Sequence, residues 1–157
     1  MNIKLIAIGK TDNRELQTLI DEYCKRISFY IKFDLEIIPD IKNVRNLSES
    51  QQKEKEGELI LAKIGPSEQL ILLDENGKEY SSLSFAAELQ KKMNSGLKTL
   101  VFAIGGPYGF SDLVYSKAQG KISLSQMTFS HQMVRLFVTE QLYRAFTILN
   151  NEPYHHQ

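Results

Sequence analysis

Three segments near the C-terminal end of the chain hold the residue types that chemistry needs. The first is Ile104-Gly105-Gly106-Pro107-Tyr108-Gly109-Phe110. Paired glycines let a backbone approach a ligand with no Cβ in the way, and a proline stiffens the turn. No Gly-Lys-Ser/Thr follows, so this is not a phosphate-cradling P-loop, and the spacing is not the G-x-G-x-x-G of a dinucleotide fold. A tight turn and a ligand cradle both remain open on this loop alone. The second segment is Leu124-Ser125-Gln126-Met127-Thr128-Phe129-Ser130-His131, a mixture of polar and apolar residues. Taken alone it reads as an ordinary strand-to-helix loop in which Thr128 or Ser130 caps the helix. The third segment follows it. His131 and Arg135 share a helix face, and Glu140 and Arg144 have the same i, i+4 spacing, which suits an ion pair. Arg135 sits among Met133, Val134, Leu136 and Phe137, a setting that suggests it binds an anion or a partner chain. After Pro153, which stops a helix, come Tyr154, His155 and His156. Two adjacent imidazoles without further ligands do not make a metal site, and none is expected.

The elements that must position these segments alternate. Apolar runs of strand length occupy residues 3–8, 35–38, 70–73, 100–104 and 122–124, each bounded by turn residues or charges. Helical patterns lie between them. Asp12 with Glu15 reads as a capping box leading into Leu16, Leu19, Ile20, Tyr23 and Ile27. Ser48 with Gln51 reads as another, leading into a very polar helix that Gly65-Pro66 terminates. A third helix begins near Ser81 and Ser82 and ends at Gly96. The longest runs from about Ser130 to Leu149, with Val134, Phe137, Val138, Leu142, Ala145, Phe146 and Leu149 as its expected buried stripe. Strands alternating with helices predict an α/β fold, a mainly parallel sheet with helices on both faces. Such sheets bind ligands beyond the carboxyl ends of their strands, which directs attention to the loops after Leu73, Ile104 and Leu124.

Composition narrows the class without naming a function. The 157 residues suit a single domain, 1–157, with a substantial core. Lysine and arginine total 19 and so do aspartate and glutamate, a balance that gives no hint of a phosphate-neutralising surface. The opening MNIKLIAIGK reads as a first strand rather than a signal peptide, and no apolar run reaches the roughly 18 residues of a membrane span. The single cysteine, Cys24, cannot form an internal disulfide, which fits a reducing compartment; packing is its expected role. A cytoplasmic location with no membrane partner is expected.

Ordered pieces along the whole chain resemble the RlmH family of SPOUT-class methyltransferases. They are Ala7-Ile8-Gly9-Lys10, the K-E-x-E-G-x-x-I-L segment from Lys53 to Leu61, Leu73 followed by an acid and then Gly77-Lys78, and the I-G-G-P-x-G loop. The series continues with L-S-x-M-T-F-x-H-Q-M-x-R from Leu124 to Arg135, E-Q-x-Y-R-A from Glu140 to Ala145, and the closing Pro153-Tyr154-His155. The resemblance implies a SPOUT fold whose C-terminal segment threads a loop to form a trefoil knot, an exception to the rule against knots. It implies S-adenosyl-L-methionine as cofactor, held by Leu73, Gly105, Leu124, Ser125, Gln126, Met127, Thr128 and Phe129. It implies methylation of N3 of a pseudouridine in 23S ribosomal RNA, presented by the assembled large subunit or ribosome. A homodimer is implied too, one chain's tail completing the other's site, with Tyr154 and His155 catalytic and His131, Arg135, Arg144 and His156 facing RNA. At position 156 the family pattern suggests arginine, and this chain has histidine. A SPOUT enzyme with a different RNA target and a catalytically silent ribosome-binding module are the alternatives.

Overall fold

Side chains alternate across a strand, and here both sets are apolar. In the first strand, β1 (Asn2–Ile8), Ile3, Leu5 and Ala7 enter one hydrophobic cluster while Ile6 and Ile8 enter another. In β4 (Thr99–Ile104), Leu100, Phe102 and Ile104 face the first cluster, and Val101 and Ala103 the second. A strand buried on both sides belongs in the middle of a parallel sheet covered by helices. The computed structural model describes residues 1–156 and has that arrangement. With β2 (Phe33–Ile38), β3 (Gln69–Glu79) and β5 (Gly120–Ser123), the strands run in the order β2-β1-β4-β3-β5, and every pairing is parallel.

On one face lie α1 (Arg14–Ile27), α3 (Ser82–Asn94) and α5 (His131–Leu149), contributing Ile27, Phe85, Leu89, Leu142 and Phe146 to the core. On the other lie α2 (Glu49–Leu61) and α4 (Asp112–Lys117), through Ile60 and Val114. The Ser48–Gln51 capping box forms in both directions. Ser81 and Ser130 cap α3 and α5, so of the two cap candidates for the long helix it is Ser130 that serves. The expected box of Asp12 and Glu15 does not form. Asn13 caps α1 instead, its side chain accepting the Leu16 N–H at 2.9 Å, while the Asp12 N–H donates to Gln132 Oε1 at 3.0 Å. Both residue types cap well, and the one nearer the helix wins because Asp12 is drawn to α5.

Two features have no apolar signal in the sequence. The first is α4, six residues capped by Ser111 and too short to show a period. The second is the polar half of β3. After Leu73 pairs with Ile122 the strand makes an excursion, and Lys78 then pairs with the same Ile122. Such an irregularity re-aims side chains. Gly77 permits it, because a Cβ there would stand 2.6 Å from backbone atoms of Ile122. The excursion carries Asp74, Glu75 and Asn76 out beyond the sheet.

The stripe of α5 differs in part from its expected form. Val138, Leu142, Ala145 and Phe146 are buried, but Phe137 stays partly exposed, and Arg135, Thr139 and Thr147 are buried in the helix's inward face. Cys24 packs as expected. Burial, then the negative charge of Asp21, pushes its thiol up to about 12, leaving it protonated and unreactive.

Candidate active site

The order β4-β3-β5 sets three carboxyl ends side by side, and a cavity of about 590 Å³ opens there. Its walls are the β3 excursion, the loop after β4 and the loop between β5 and α5. Leu73, Gly105, Leu124, Ser125, Met127, Thr128 and Phe129 all line it; of the expected cofactor residues only Gln126 does not. The turn after β4 is closed by the Gly109 N–H donating to the Gly106 carbonyl at 3.1 Å. In the third wall, Ser123 Oγ donates to the Ser125 carbonyl at 2.8 Å, and Ser125 Oγ accepts the Met127 N–H at 3.0 Å. These local bonds let an irregular backbone hold its shape without ladder partners.

Sequence reasoning missed the acidic wall. Asp74 accepts a hydrogen bond from the Tyr115 hydroxyl, and Glu75 accepts one from Thr128 Oγ1 at 3.1 Å. Burial, then the bond to Asp74, raises the Tyr115 hydroxyl above its ordinary range, so it stays a donor. The acid after Leu73 and Gly77 were the available signals for this wall; Tyr115 had none. Among the described lining residues there are two carboxylates, Asp74 and Glu75, and no lysine or arginine. That charge pattern suits a cationic ligand and disfavours a phosphate-bearing nucleotide. The volume falls in the range that accommodates a small organic cofactor.

The expected RNA-facing residues are dispersed. His131, the first residue of α5, lines the cavity itself. Arg144 is in the tail cluster, its Nε donating to Glu140 Oε1 at 3.0 Å and its Nη2 to the same atom at 2.5 Å. The expected helix ion pair therefore exists, and the tail is built on it. Tyr154 donates its hydroxyl to Glu140 Oε1 at 3.0 Å, stands 3.3 Å from the Tyr23 hydroxyl, and packs edge-on against Tyr143. The Arg144 guanidinium lies over the Tyr154 ring, 4.7 Å from its centre, and Nη1 reaches His155 Nδ1 at 3.3 Å. The other ring nitrogen of His155, Nε2, is buried with no hydrogen-bond partner. Burial, then the bonds to Tyr23 and Glu140, raises the Tyr154 phenol, which keeps it a protonated donor. His156 is exposed. Among the described residues none beyond Val134 lines the cavity, so within one chain the described part of the tail and the cavity are separate.

Arg135 is the correction. It is 0% exposed, donating Nη2 to the Ile8 carbonyl and Nη1 to the Gly9 carbonyl, each at 2.7 Å, and Nη1 to Thr11 Oγ1 at 3.2 Å. Of the apolar neighbours only Val134 packs against the core, and Met133 and Phe137 stay partly exposed; the guanidinium itself turns inward and caps the carboxyl end of β1. Burial lowers its pKa, opposed by Asp12 and Asp40.

A family model described as "Predicted SPOUT methyltransferase" matches residues 1–155. The chain belongs to the SPOUT methyltransferase family. Among similar proteins of this family, "Ribosomal RNA large subunit methyltransferase H" of Flavobacterium johnsoniae is 81% identical and that of Flavobacterium psychrophilum 82%, each over the whole of both chains. The protein of the same name from Porphyromonas gingivalis is 55% identical, again end to end. The lining of the cavity at the strand ends is suited to a ligand that carries positive charge. Among the described residues no helix is long and apolar enough to cross a membrane, and no group of three or more His, Cys, Asp or Glu side chains could hold a metal ion.

Proposed function

We propose that this SPOUT methyltransferase transfers a methyl group from S-adenosyl-L-methionine to N3 of a pseudouridine in large-subunit ribosomal RNA. It acts in the cytoplasm, on an assembled large subunit or ribosome, as a homodimer with a knotted C-terminal region. The observation that carries the reading is the cavity at the β4-β3-β5 ends, in a chain that matches large-subunit methyltransferases along its full length.

The cofactor supplies an electrophilic methyl group on a positively charged sulfur. Leu73 and Phe129 offer it apolar packing, Gly105 and the segment Leu124 to Thr128 offer backbone contacts, and Asp74 and Glu75 offer favourable charge. Displacement at a methyl group demands little of the protein except alignment of donor and acceptor. The proton on N3 must also leave. Histidine suits that task near neutral pH, and it falls to His155, whose Nδ1 lone pair faces Arg144 Nη1. Arg144, held against His155 and Glu140, fixes the ring's orientation, and His131 and His156 contact the RNA beside it.

Because the tail does not reach the cavity of its own chain, a second copy must bring the two together. Phe129, Met133 and Phe137, beside the cavity, are all partly exposed, with the two phenylalanine rings 4.9 Å apart. An apolar face next to an incomplete site is suited to an isologous partner.

Mass analysis of nucleosides from ribosomal RNA tests the reading. A strain without the gene is expected to lack one N3-methylated pseudouridine and to regain it on complementation. An unchanged methylpseudouridine content, or loss of a modification from transfer RNA instead, would overturn it.

A further inference from the structure

A carboxyl group lies against the glycine loop from below, outside every role assigned so far. Glu56, on α2, is 3% exposed, and its Oε1 has no hydrogen-bond partner. No ion pair among the described residues includes it. An unsatisfied buried polar atom is destabilising, so its retention calls for a reason. The loop provides one. A Cβ built on Gly106 would collide with this carboxylate, standing 2.8 Å from its Cδ, while Gly106 also lines the cavity. One side of Gly106 therefore rests on Glu56, and the loop it belongs to forms the cavity wall.

We infer that Glu56 is a positioning residue for methyl-donor binding: its buried carboxyl sets the height of the Gly105–Gly106 turn, and its unpaired oxygen is held for the loop's donor-bound position. The inference rests on the cofactor reading above. A loop that can settle onto a waiting polar atom gains when the cavity fills, so Glu56 converts a local deficit into affinity. Burial, then the nearby charge of Asp40, raises the Glu56 carboxyl toward its neutral form, in which glutamine is a close mimic.

Calorimetric titration of the full-length protein with S-adenosyl-L-methionine, together with steady-state kinetics on ribosomes, tests this. Glu56→Ala is expected to weaken donor binding about tenfold, raising the donor KM far more than it lowers kcat, and Glu56→Gln to restore most of the affinity. Gly106→Ala is expected to weaken binding by a similar factor alone, but by less than about threefold when added to Glu56→Ala, because the collision is gone. Thermal melting shows which variants are folded; should Glu56→Ala not fold, Glu56→Asp, whose shorter side chain withdraws the carboxyl from Gly106, takes its place, and the cost of Gly106→Ala is expected to shrink in that background. Donor affinity unchanged in Glu56→Ala, or costs of the two substitutions that simply multiply, would overturn the inference. Wild-type protein that binds no S-adenosyl-L-methionine would overturn the cofactor reading instead.

Discussion

His155 and Arg135 show how two polar residues, one in the C-terminal tail and one in α5, come to different surroundings. His155 accepts from Arg144 at Nδ1, its Nε2 is buried without a partner, and it is the proton acceptor proposed above. Replacing it with alanine is expected to cut turnover on ribosomes by about 10²-fold, the scale of a general base, with donor affinity unchanged by calorimetry. Unchanged turnover would remove it from the chemistry. Arg135 is spent within the fold, on the carbonyls of Ile8 and Gly9. Arg135→Met keeps its bulk but leaves both carbonyls buried without a donor. Urea unfolding should then show a loss of about 2–4 kcal/mol. A residue that only contacted RNA would leave the unfolding midpoint where it was.

At the scale of elements, the site is made by what the strands do after their apolar runs stop. The β3 excursion depends on Gly77, whose missing Cβ lets the strand return over Ile122. Gly77→Ala is expected to push the two strands apart, costing about 1–3 kcal/mol and loosening the Asp74–Asn76 wall. Hydrogen exchange should rise in residues 74–79 and 120–123, with weaker donor binding; unaltered protection there would contradict the proposed close approach. The sheet was legible in the sequence because five apolar runs of strand length with helical spacing between them admit few other arrangements. The cap Asn13, the short α4 and the polar half of β3 were not, since each is set by packing or by a backbone contact that leaves no periodic trace. The cavity loops could be located from the strand ends, and the residues in them were singled out by the family motifs. Arg135 was misplaced for a related reason: Met133 and Phe137 do stay partly exposed, but the residue two positions from each turns to the opposite, buried side of the helix. The acidic wall escaped notice because charged residues after a strand ordinarily mark a loop and nothing more.

At the scale of the whole molecule, charge and symmetry set the terms of action. With 19 basic and 19 acidic residues, the chain has little counterion release to draw on, so a naked RNA hairpin should be methylated far more slowly than ribosomes, whose shape supplies contacts instead. Equal rates on both would refute that account. The separation of cavity and tail within one chain makes a stronger demand. If the reacting site is assembled from the cavity of one copy and the tail of another, two inactive variants can repair each other. Gly105→Val, which forces a branched side chain toward the Gly109 backbone, disables the cavity; His155→Ala disables the tail. Each alone should turn over ribosomes at about a hundredth of the wild-type rate or less. In an equal mixture refolded or expressed together, half the dimers are mixed, and each mixed dimer holds one site with both parts intact. Activity should therefore recover to about a quarter of wild type, the fraction that a two-fold assembly dictates. Adding Phe137→Glu to both chains places charge on the exposed apolar face, and should abolish both the recovery and the dimer seen by light scattering. A mixture that stays inactive while the dimer is intact would mean that each chain must supply its own tail.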